Sequence, residues 1–385
     1  MRLCHLSDLH LGLKLHDVSL LEDQRQILLQ ILDLLEQERP DAIMICGDVY
    51  DRSVPSAEAV ELFDDFLTSL AGLQIPVLLI SGNHDSAERL QFGSKLFAKS
   101  NIYIAAKYEG FIPKVTLQDA SGPVNFYLLP FVKPAVIRYF AVLNEELTKQ
   151  EAEEKLSTYH ATVKYAIDKL LLDEGERNVL LAHQFITGAN KGGSEDISVG
   201  GLDNIGAEVF AKFDYVALGH IHGAQKVGNE KIYYCGTPMK YSFAEAEQKK
   251  ALTIIDLGAQ GDLALKSIAL VPPHDLRKIK GSYAELTNRK NYEGTAIEDY
   301  LHITLTDEVD IPDAMNKLRT IYPNVLTLEY ERKQNQIEQT MLGAKLEQID
   351  PMELFASFYK LQNNADMQPE QIAIMQEIFE LAKKN

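Results

Sequence analysis

The sequence predicts an α/β sandwich built on parallel or mixed β-sheet. Short apolar runs alternate with amphipathic helical stretches from the first residues onward. The runs RLCHLSD (2–8), AIMICGD (42–48) and PVLLISG (76–82) are predicted to be buried strands, and the last two are almost continuously apolar, which is typical of strands buried on both faces. Helical stretches separate these runs, and alternation of strands with helices indicates an α/β fold.

The stretches between the predicted strands have the apolar spacing of helices. Ser19 and Glu22 form a Ser-x-x-Glu pattern, which predicts a capping box at the start of the first helix. The second helix is expected to end at Gly72. A further acidic helical stretch covers residues 141–173.

The chain continues with more strands and then changes character. Further strands are predicted at 124–129, 178–182 and 214–219, and the α/β part ends near residues 272–273. A smaller β-α-β-like unit is expected over 276–331. Two amphipathic segments follow, at 351–361 and 369–383.

Composition limits the class of protein. A chain of 385 residues is expected to form more than one domain, and its three cysteines lie in apolar runs without metal-binding spacing. No apolar run is long enough for a membrane span and the first residues do not resemble a signal peptide, so we expect a cytoplasmic protein. The net charge of −18 repels phosphate over most of the surface. Nucleic-acid binding would therefore need basic patches, metal ions or a partner.

Polar side chains follow five of the predicted strands, at the edge where open α/β sheets bind ligands. Each one alone is more simply explained as a hydrogen-bonded core or turn residue. Core packing gives no reason, however, to place such groups at five strand ends, whereas a shared metal centre accounts for them together. The residues are Asp8, His10, Asp48, Asn83, His84, His183, His220 and His222.

The donor types narrow the choice of metal. Oxygen and imidazole donors without a thiolate argue against structural zinc and favour Mn, Fe, Zn or Mg in an open catalytic site. Seven donors exceed the needs of one catalytic ion, while two ions about 3.5–4 Å apart, bridged by a carboxylate, fit them. On an extended strand, His220 and His222 would lie about 6.6 Å apart on one face, a spacing that suits one ion or two.

The ordered motifs resemble the signature of the calcineurin-like metallophosphoesterases over residues 1–256. They are Asp8-x-His10, Gly47-Asp48-x-x-Asp51, Gly82-Asn83-His84-Asp85, a lone His183 and Gly219-His220-x-His222. The resemblance implies a four-layered α/β/β/α metallophosphoesterase sandwich over 1–273. It also implies a small α+β capping domain that binds DNA over 274–335, and a linker with a helical tail over 336–385.

The resemblance also implies roles for the candidate site residues. One divalent ion, expected to be Mn²⁺, would be held by Asp8, His10, Asp48 and His222. The second Mn²⁺ would be held by Asp48, Asn83, His183 and His220, with Asp48 bridging. His84 would bind no metal and would face the scissile phosphate as proton donor or transition-state stabiliser.

Asp51 and Arg52 depart from part of the family pattern. Archaeal and eukaryotic counterparts carry a second histidine at the position of Asp51. Arg52 either contacts the substrate phosphate or forms a surface ion pair.

The stretches DYVALGHIHGAQ and GTPMKYSFAEAE are similar to the DNA-nuclease branch of the family. That similarity implies exonuclease action on duplex ends and endonuclease action on hairpins and single strands, in a two-plus-two assembly with a coiled-coil ATPase. The apolar faces of the tail would bind this ATPase or fold back onto the chain. Phe63 and Phe66 belong either to a homodimer contact or to the chain's own core.

Basic residues near the predicted strand ends either contact the DNA backbone or form a solvated surface. They are Arg89, Lys95, Lys99, Lys107, Lys114, Lys133, Arg138 and Lys191. Two other functions remain open from the sequence. One is a metallophosphoesterase acting on a non-DNA phosphoester, and the other is a metal-binding scaffold without catalysis.

Overall fold

Two six-stranded β-sheets form the centre of the fold in a computed structural model of the chain. The structure describes residues 1–190, 204–259, 262–331 and 367–382, together with residues 352, 355, 356 and 359. The described strands, in chain order, are β1 (Arg2–Leu6), β2 (Lys14–Leu15), β3 (Val18–Ser19), β4 (Ala42–Cys46), β5 (Val77–Ile80), β6 (Ile102–Ala105), β7 (Lys114–Asp119), β8 (Gly122–Leu129), β9 (Arg177–His183), β10 (Tyr215–Gly219), β11 (Gln225–Val227), β12 (Asn229–Tyr234), β13 (Ala251–Leu257), β14 (Leu263–Ala269), β15 (Leu276–Gly281), β16 (Tyr300–Leu305) and β17 (Val325–Tyr330).

Both sheets have a parallel centre, with antiparallel pairing at one edge of the first sheet and at both edges of the second. The first has the order β14-β13-β1-β4-β5-β6, and β1, β4, β5 and β6 run parallel. The second has the order β11-β12-β10-β9-β8-β7, and β8, β9, β10 and β12 run parallel. The carboxyl ends of the parallel strands in each sheet therefore lie along one edge.

Helices cover the outer faces of the two sheets. The described helices are α1 (Leu21–Glu38), α2 (Ala57–Gly72), α3 (Ala87–Gln91), α4 (Ser94–Phe97), α5 (Pro134–Leu143), α6 (Lys149–Lys155), α7 (Tyr159–Asp168), α8 (Tyr283–Leu286), α9 (Arg289–Tyr292), α10 (Ala314–Arg319) and α11 (Pro369–Ala382). Helices α1 and α2 pack on the first sheet, and α5 and α7 pack on the second.

Alternate residues of each central strand pack in different layers. In β4, Ile43 and Ile45 face α1 and α2, whereas Met44 faces the second sheet, where it joins Phe126 and Leu181 in the core between the sheets. All of these side chains are buried, which explains the continuous apolar runs in the sequence. The predicted four-layered α/β/β/α sandwich is confirmed.

The predicted capping box at the first helix is wrong. Ser19 belongs to strand β3, which pairs with β2 in a short hairpin. Helix α1 begins at Leu21 after an N-cap at Leu20 that has no side-chain cap. The hairpin commits the backbone of Ser19 to strand pairing, and its hydroxyl accepts only from the Leu21 N–H, at 3.4 Å. The predicted helix over 141–173 is also wrong in its bounds, because the chain there divides among α5, α6 and α7.

Burial decides between the two environments expected for Phe63 and Phe66. Phe63 and Phe66 lie in the core between α2 and the first sheet, so the alternative of an intrachain core holds for both. Cys4, Cys46 and Cys235 are buried and free, as the sequence predicted.

A three-stranded parallel sheet, β15-β16-β17, forms a small α+β unit that follows β14 of the first six-stranded sheet in the chain. Leu301, Ile303 and Leu318 lie in its own core. The unit is joined to α1 by Asp23, whose carboxylate accepts from the Tyr300 hydroxyl at 2.7 Å and lies 2.8 Å from His274 Nδ1.

The two segments expected in the tail are described unequally. The segment predicted over 369–383 is helix α11, whereas most of 351–361 lies outside the described residues. None of the helices in the described ranges combines the length and the apolar character needed to cross a lipid bilayer.

The ion pair between Asp119 and Arg177 generates a stability prediction. Arg177 Nη2 lies 2.5 Å from Asp119 Oδ1 and is nearly buried at the start of β9. Its hydrogen bonds hold the pKa of Asp119 well below the usual range. We expect Asp119→Asn to lower the free energy of unfolding by about 2–3 kcal/mol at pH 7, because a buried guanidinium loses its partner.

This difference should shrink with acidification. A carboxylate with a depressed folded-state pKa contributes stability above its ordinary pKa of about 4, and the contribution is lost as the pH falls further. Urea unfolding at pH 7 and pH 3 measures both effects. Asp256→Asn is the matched control, because its pair with Arg2 is about half exposed and should contribute less than about 1 kcal/mol. Equal effects of the two variants would contradict the prediction.

Candidate metal centre

The carboxyl ends of five strands from both sheets meet at one edge of the sandwich. Strands β1, β4 and β5 end there in the first sheet, and β9 and β10 end there in the second. The structure brings together at this edge all eight side chains that the sequence singled out. They are Asp8, His10, Asp48, Asn83, His84, His183, His220 and His222.

Sharp turns at the strand ends direct these side chains inward. Asp8, His10, Asp48 and His220 have positive φ angles of 53°, 43°, 49° and 100°. Such conformations cost about 1–3 kcal/mol each and persist where the surrounding structure holds them. Two backbone hydrogen bonds do so here, from Asp8 N–H to Gly47 O at 2.9 Å and from His10 N–H to Asp48 O at 3.0 Å.

The expected strand geometry of His220 and His222 is wrong. Strand β10 ends at Gly219, and His220 then adopts a left-handed conformation, so the two histidines are not same-face neighbours on a strand. Their side chains have different partners. His220 Nδ1 lies 3.0 Å from Asn83 Oδ1, and His222 Nδ1 lies 3.1 Å from Glu245 Oε1.

Glycines precede three of the candidate ligands because the strand ends touch. A Cβ atom on Gly82 would lie 2.1 Å from Asp48 Oδ1, and one on Gly47 would lie 2.5 Å from His183 Nδ1. A Cβ atom on Gly219 would lie 2.0 Å from the Cys46 carbonyl oxygen. Any larger residue would push the strand ends apart.

Asp48 lies at the centre of the cluster. Its Oδ2 atom is 3.2 Å from His183 Nε2 and 3.8 Å from His10 Nε2, and its Oδ1 atom accepts from the His84 N–H at 2.8 Å. Burial by itself raises the pKa of Asp48, but the neighbouring histidines hold it well below the usual range. Burial lowers the pKa of His183, yet the carboxylates of Asp48 and Asp8 raise it to about 9. Cation binding at these residues would therefore release protons.

Two groups of donors surround Asp48. On one side, Asn83 Oδ1 lies 3.0 Å from both His183 Nε2 and His220 Nδ1. In the other group, Asp8, His10 and His222 each present a donor atom within 4.8 Å of the others, and Asp8 lies within the same distance of Asp48 and His183. The cluster thus has two lobes that adjoin at the carboxylates of Asp48 and Asp8, an arrangement that suits a pair of divalent cations.

His10 provides a direct test of whether a cation fits. Its side chain is buried, and neither ring nitrogen has a hydrogen-bond partner among the described residues. A buried, unsatisfied imidazole is costly unless it binds something. Burial lowers its pKa to about 3, so the ring is neutral and presents the lone pair that a metal ion requires. The residues present therefore fit divalent cations.

His84 lines a cavity of about 170 Å³ that opens beside the cluster. His84 Nδ1 lies 2.8 Å from the Asp51 carbonyl oxygen, and its ring packs edge-on against His10 with centroids 4.8 Å apart. The lining residues are His10, Leu13, Asp48, Asp51, Asn83, His84, His220, His222, Tyr241 and Ser242.

Asp51 supports His84 with its backbone, while its carboxylate is 3.3 Å from Arg52 Nε. The Arg52 side chain is 79% exposed and pairs with Asp51 at the surface, which leaves its guanidinium accessible to a substrate phosphate as well.

Sequence reasoning missed two supporting carboxylates. Asp85 accepts backbone N–H groups of Val49, Tyr50 and Gly82 at 2.9–3.2 Å and so joins the two ligand loops. Burial and Asp48 raise the pKa of Asp85 to about 6. Asp85 directly follows His84 in the motif Gly82-Asn83-His84-Asp85, and this position could have indicated its supporting role. Glu245, which contacts His222, lies in the stretch GTPMKYSFAEAE that carries the family similarity, but its charged surroundings resemble an ordinary exposed surface and give it no role.

A metal-dependent hydrolase is the class of protein that this fold and cluster define. The sequence profile of the calcineurin-like phosphoesterases matches residues 1–224. A second profile, the type 5 capsule protein repressor C-terminal domain, also designated SbcD_C, matches residues 272–363.

Two curated relatives extend over nearly the whole chain. The SbcD subunit of the nuclease SbcCD from Staphylococcus epidermidis is 32% identical over 368 residues, which are 94% of this chain and 93% of the relative. The protein of the same name from Staphylococcus saprophyticus is 32% identical over 361 residues, 93% of this chain and 92% of the relative. The chain therefore belongs to the calcineurin-like phosphoesterases and, within them, to the SbcD family of SbcCD nuclease subunits.

A solved dimetal phosphatase from Danio rerio is similar to 71% of this chain and 97% of its own length. Its TM-score is 0.43 and its sequence identity is 12%.

The contact at Gly82 generates a prediction for the metal centre. We expect Gly82→Ala to weaken Mn²⁺ binding about tenfold or more, because the added methyl group collides with Asp48 Oδ1. Isothermal titration calorimetry measures the loss. The matched control is Gly72→Ala at the end of α2, where a Cβ atom meets nothing within 4 Å and binding should be unchanged. Wild-type affinity in Gly82→Ala would show that the two loops are not in tight contact.

Proposed function

We propose that the chain is the nuclease subunit of a DNA-processing complex with the SbcC ATPase. It acts as a Mn²⁺-dependent phosphodiesterase, as an exonuclease on duplex ends and as an endonuclease on hairpins and single strands, in DNA repair, recombination and replication. The observation that carries the proposal is the convergence of all eight motif residues at one edge of the sandwich, where six of them line a cavity, in a chain whose nuclease-named relatives match over nine-tenths of its length.

The two lobes around Asp48 support a division of the ligands between two Mn²⁺ ions. We assign Asp8, His10, Asp48 and His222 to one ion and Asp48, Asn83, His183 and His220 to the other. Divalent ions held by these residues would activate a water molecule as nucleophile and would offset negative charge on the phosphoryl group. The position of Asp48 Oδ2 between His10 and His183 supports its bridging role.

The role proposed for His84 is to handle a proton rather than to bind a metal ion. The Asp51 carbonyl oxygen holds its Nδ1 atom, which fixes the ring at the cavity wall. We assign to His84 the protonation of the leaving oxygen or the stabilisation of charge at phosphorus. His84 also lies within ligand distance of His10 and Asp48, so metal binding by its variants separates the two roles.

Basic residues after the His84 loop support binding of DNA by an acidic protein. Arg89, Lys95 and Lys99 are exposed in and around α3 and α4, while Lys107 is 3.3 Å from Glu88. Such residues hold the phosphate backbone without reading bases. Lys191 lies outside the described residues.

Exposed apolar side chains in the tail support the proposal that a partner protein binds there. In α11, Ile372, Ile374 and Ile378 are 36%, 58% and 49% exposed, and we propose that this surface binds SbcC. Of the other apolar tail residues, Leu354, Phe358 and Leu361 lie outside the described residues, as does the side chain of Leu381.

We also propose a homodimeric assembly, a cytoplasmic location and a division into domains. Phe92 and Leu96, 84% and 69% exposed, support a homodimer and thus an SbcC₂–SbcD₂ assembly. Three buried free thiols support a cytoplasmic location. We also propose domain boundaries after residues 273 and 335.

One assay tests the function against its rivals. A labelled DNA duplex and a hairpin are incubated with Mn²⁺, with and without SbcC and ATP, beside a nitrophenyl phosphate control. Cleavage of both DNA substrates is expected. Hydrolysis of the small ester alone would favour a non-DNA phosphoesterase, and binding of Mn²⁺ with no hydrolysis would indicate a metal-binding scaffold.

A substitution at His84 tests its role. We expect His84→Ala to lower kcat about 10²–10⁴-fold while both Mn²⁺ ions bind with near wild-type affinity, because a proton donor is lost and no ligand is removed. Single-turnover cleavage gives the rate, and calorimetry gives the metal affinity. Loss of one Mn²⁺ in this variant would reassign His84 as a ligand.

A further inference from the structure

We propose that Glu245 and Lys250 form a buried ion pair that positions His222 for metal binding, so that both act as positioning residues for the catalytic centre. The proposal rests on the assignment of His222 as a metal ligand. It adds to the seven candidate ligands a pair of supporting residues to which the sequence motifs assign no role.

The contact between Glu245 and His222 selects one nitrogen of the imidazole. Glu245 Oε1 lies 3.1 Å from His222 Nδ1. A carboxylate at that distance accepts the Nδ1–H, so the ring's lone pair is on Nε2. Metal-binding histidines regularly donate their second nitrogen to a carboxylate or carbonyl, which fixes the tautomer and increases the basicity of the ligand.

Lys250 holds the carboxylate and the backbone of His222 at the same time. Its Nζ atom donates to Glu245 Oε2 at 2.6 Å and to the His222 carbonyl oxygen at 2.9 Å. It also donates to Thr237 Oγ1 at 2.6 Å, and the Thr237 N–H donates to the same His222 carbonyl oxygen at 3.1 Å. The imidazole and the peptide of His222 are thus held by one network.

Burial of the Glu245–Lys250 ion pair carries a free-energy cost, which a role in positioning His222 would explain. The side chains of Glu245 and Lys250 are 0% and 5% exposed. Removing two charges from water costs several kcal/mol per ion, and such pairs often contribute little net stability. Here both charged groups are directed at one candidate ligand, which gives the pair a role that a hydrophobic pair of equal volume would not fill.

The other candidate histidines are held differently. His183 Nδ1 lies 2.8 Å from the Cys46 carbonyl oxygen, a neutral acceptor, and His10 has no hydrogen-bond partner among the described residues. The ion assigned to His222 should therefore depend on Glu245, whereas the ion assigned to His183 should not.

Calorimetry and electron paramagnetic resonance with Mn²⁺ alone test this dependence. We expect Glu245→Gln and Glu245→Ala to weaken one of the two Mn²⁺ ions about 10–100-fold and to leave the other unchanged. The Gln variant keeps an acceptor for Nδ1–H and so should lose less affinity than the Ala variant. In the double variant with His222→Ala, Glu245→Ala should add no further loss, because both changes act on the same ion.

The control is Asp119→Asn, which breaks the largely buried ion pair with Arg177. Arg177 begins β9, and His183 ends it. It should lower Tm and leave both Mn²⁺ affinities unchanged. Wild-type affinity for both ions in folded Glu245→Gln and Glu245→Ala would overturn the proposal, as would an equal loss in Asp119→Asn. These measurements contain no DNA, so a failure of the nuclease function would appear separately, as absent cleavage by a wild-type protein that binds both ions.

Discussion

The carboxylate of Asp48 occupies the point where strand ends from both sheets meet, and the site is arranged around it. It contacts His183 from the second sheet, lies near His10 from the first, and accepts the amide of His84. So many contacts at one carboxylate require close backbones. That requirement explains the glycine at position 82, where even a methyl group would overlap Asp48.

The packing of one sheet on the other is therefore a condition for the site. The first sheet supplies Asp8, His10, Asp48 and Asn83, and the second supplies His183, with His220 and His222 following β10. The buried core between the sheets sets the distance between these two groups. It also stabilises the left-handed turns, each of which would be unfavourable in an isolated segment.

Charge in this protein is local rather than general. A chain with a net charge of −18 holds several buried imidazoles beside carboxylates and exposes Arg89, Lys95 and Lys99 after the His84 loop. The small sheet lies near the same region, because Phe243, next to the cavity residue Ser242, packs its ring 5.3 Å from that of His302. The small unit therefore lies close to the cavity.

The sequence by itself predicted an α/β sandwich and the eight candidate residues that the structure brings together, and its family resemblance implied the four layers. Runs such as AIMIC predict strands that are buried on both faces. Polar residues that directly follow such parallel strands are expected at one edge of the sheet. Tertiary structure decided the rest. It placed His220 and His222 off the strand, moved Ser19 into a hairpin, and buried Glu245 and Lys250 behind His222. These features depend on contacts between segments distant in sequence, and a local pattern of polar and apolar residues carries no information about which distant segment will pack against it.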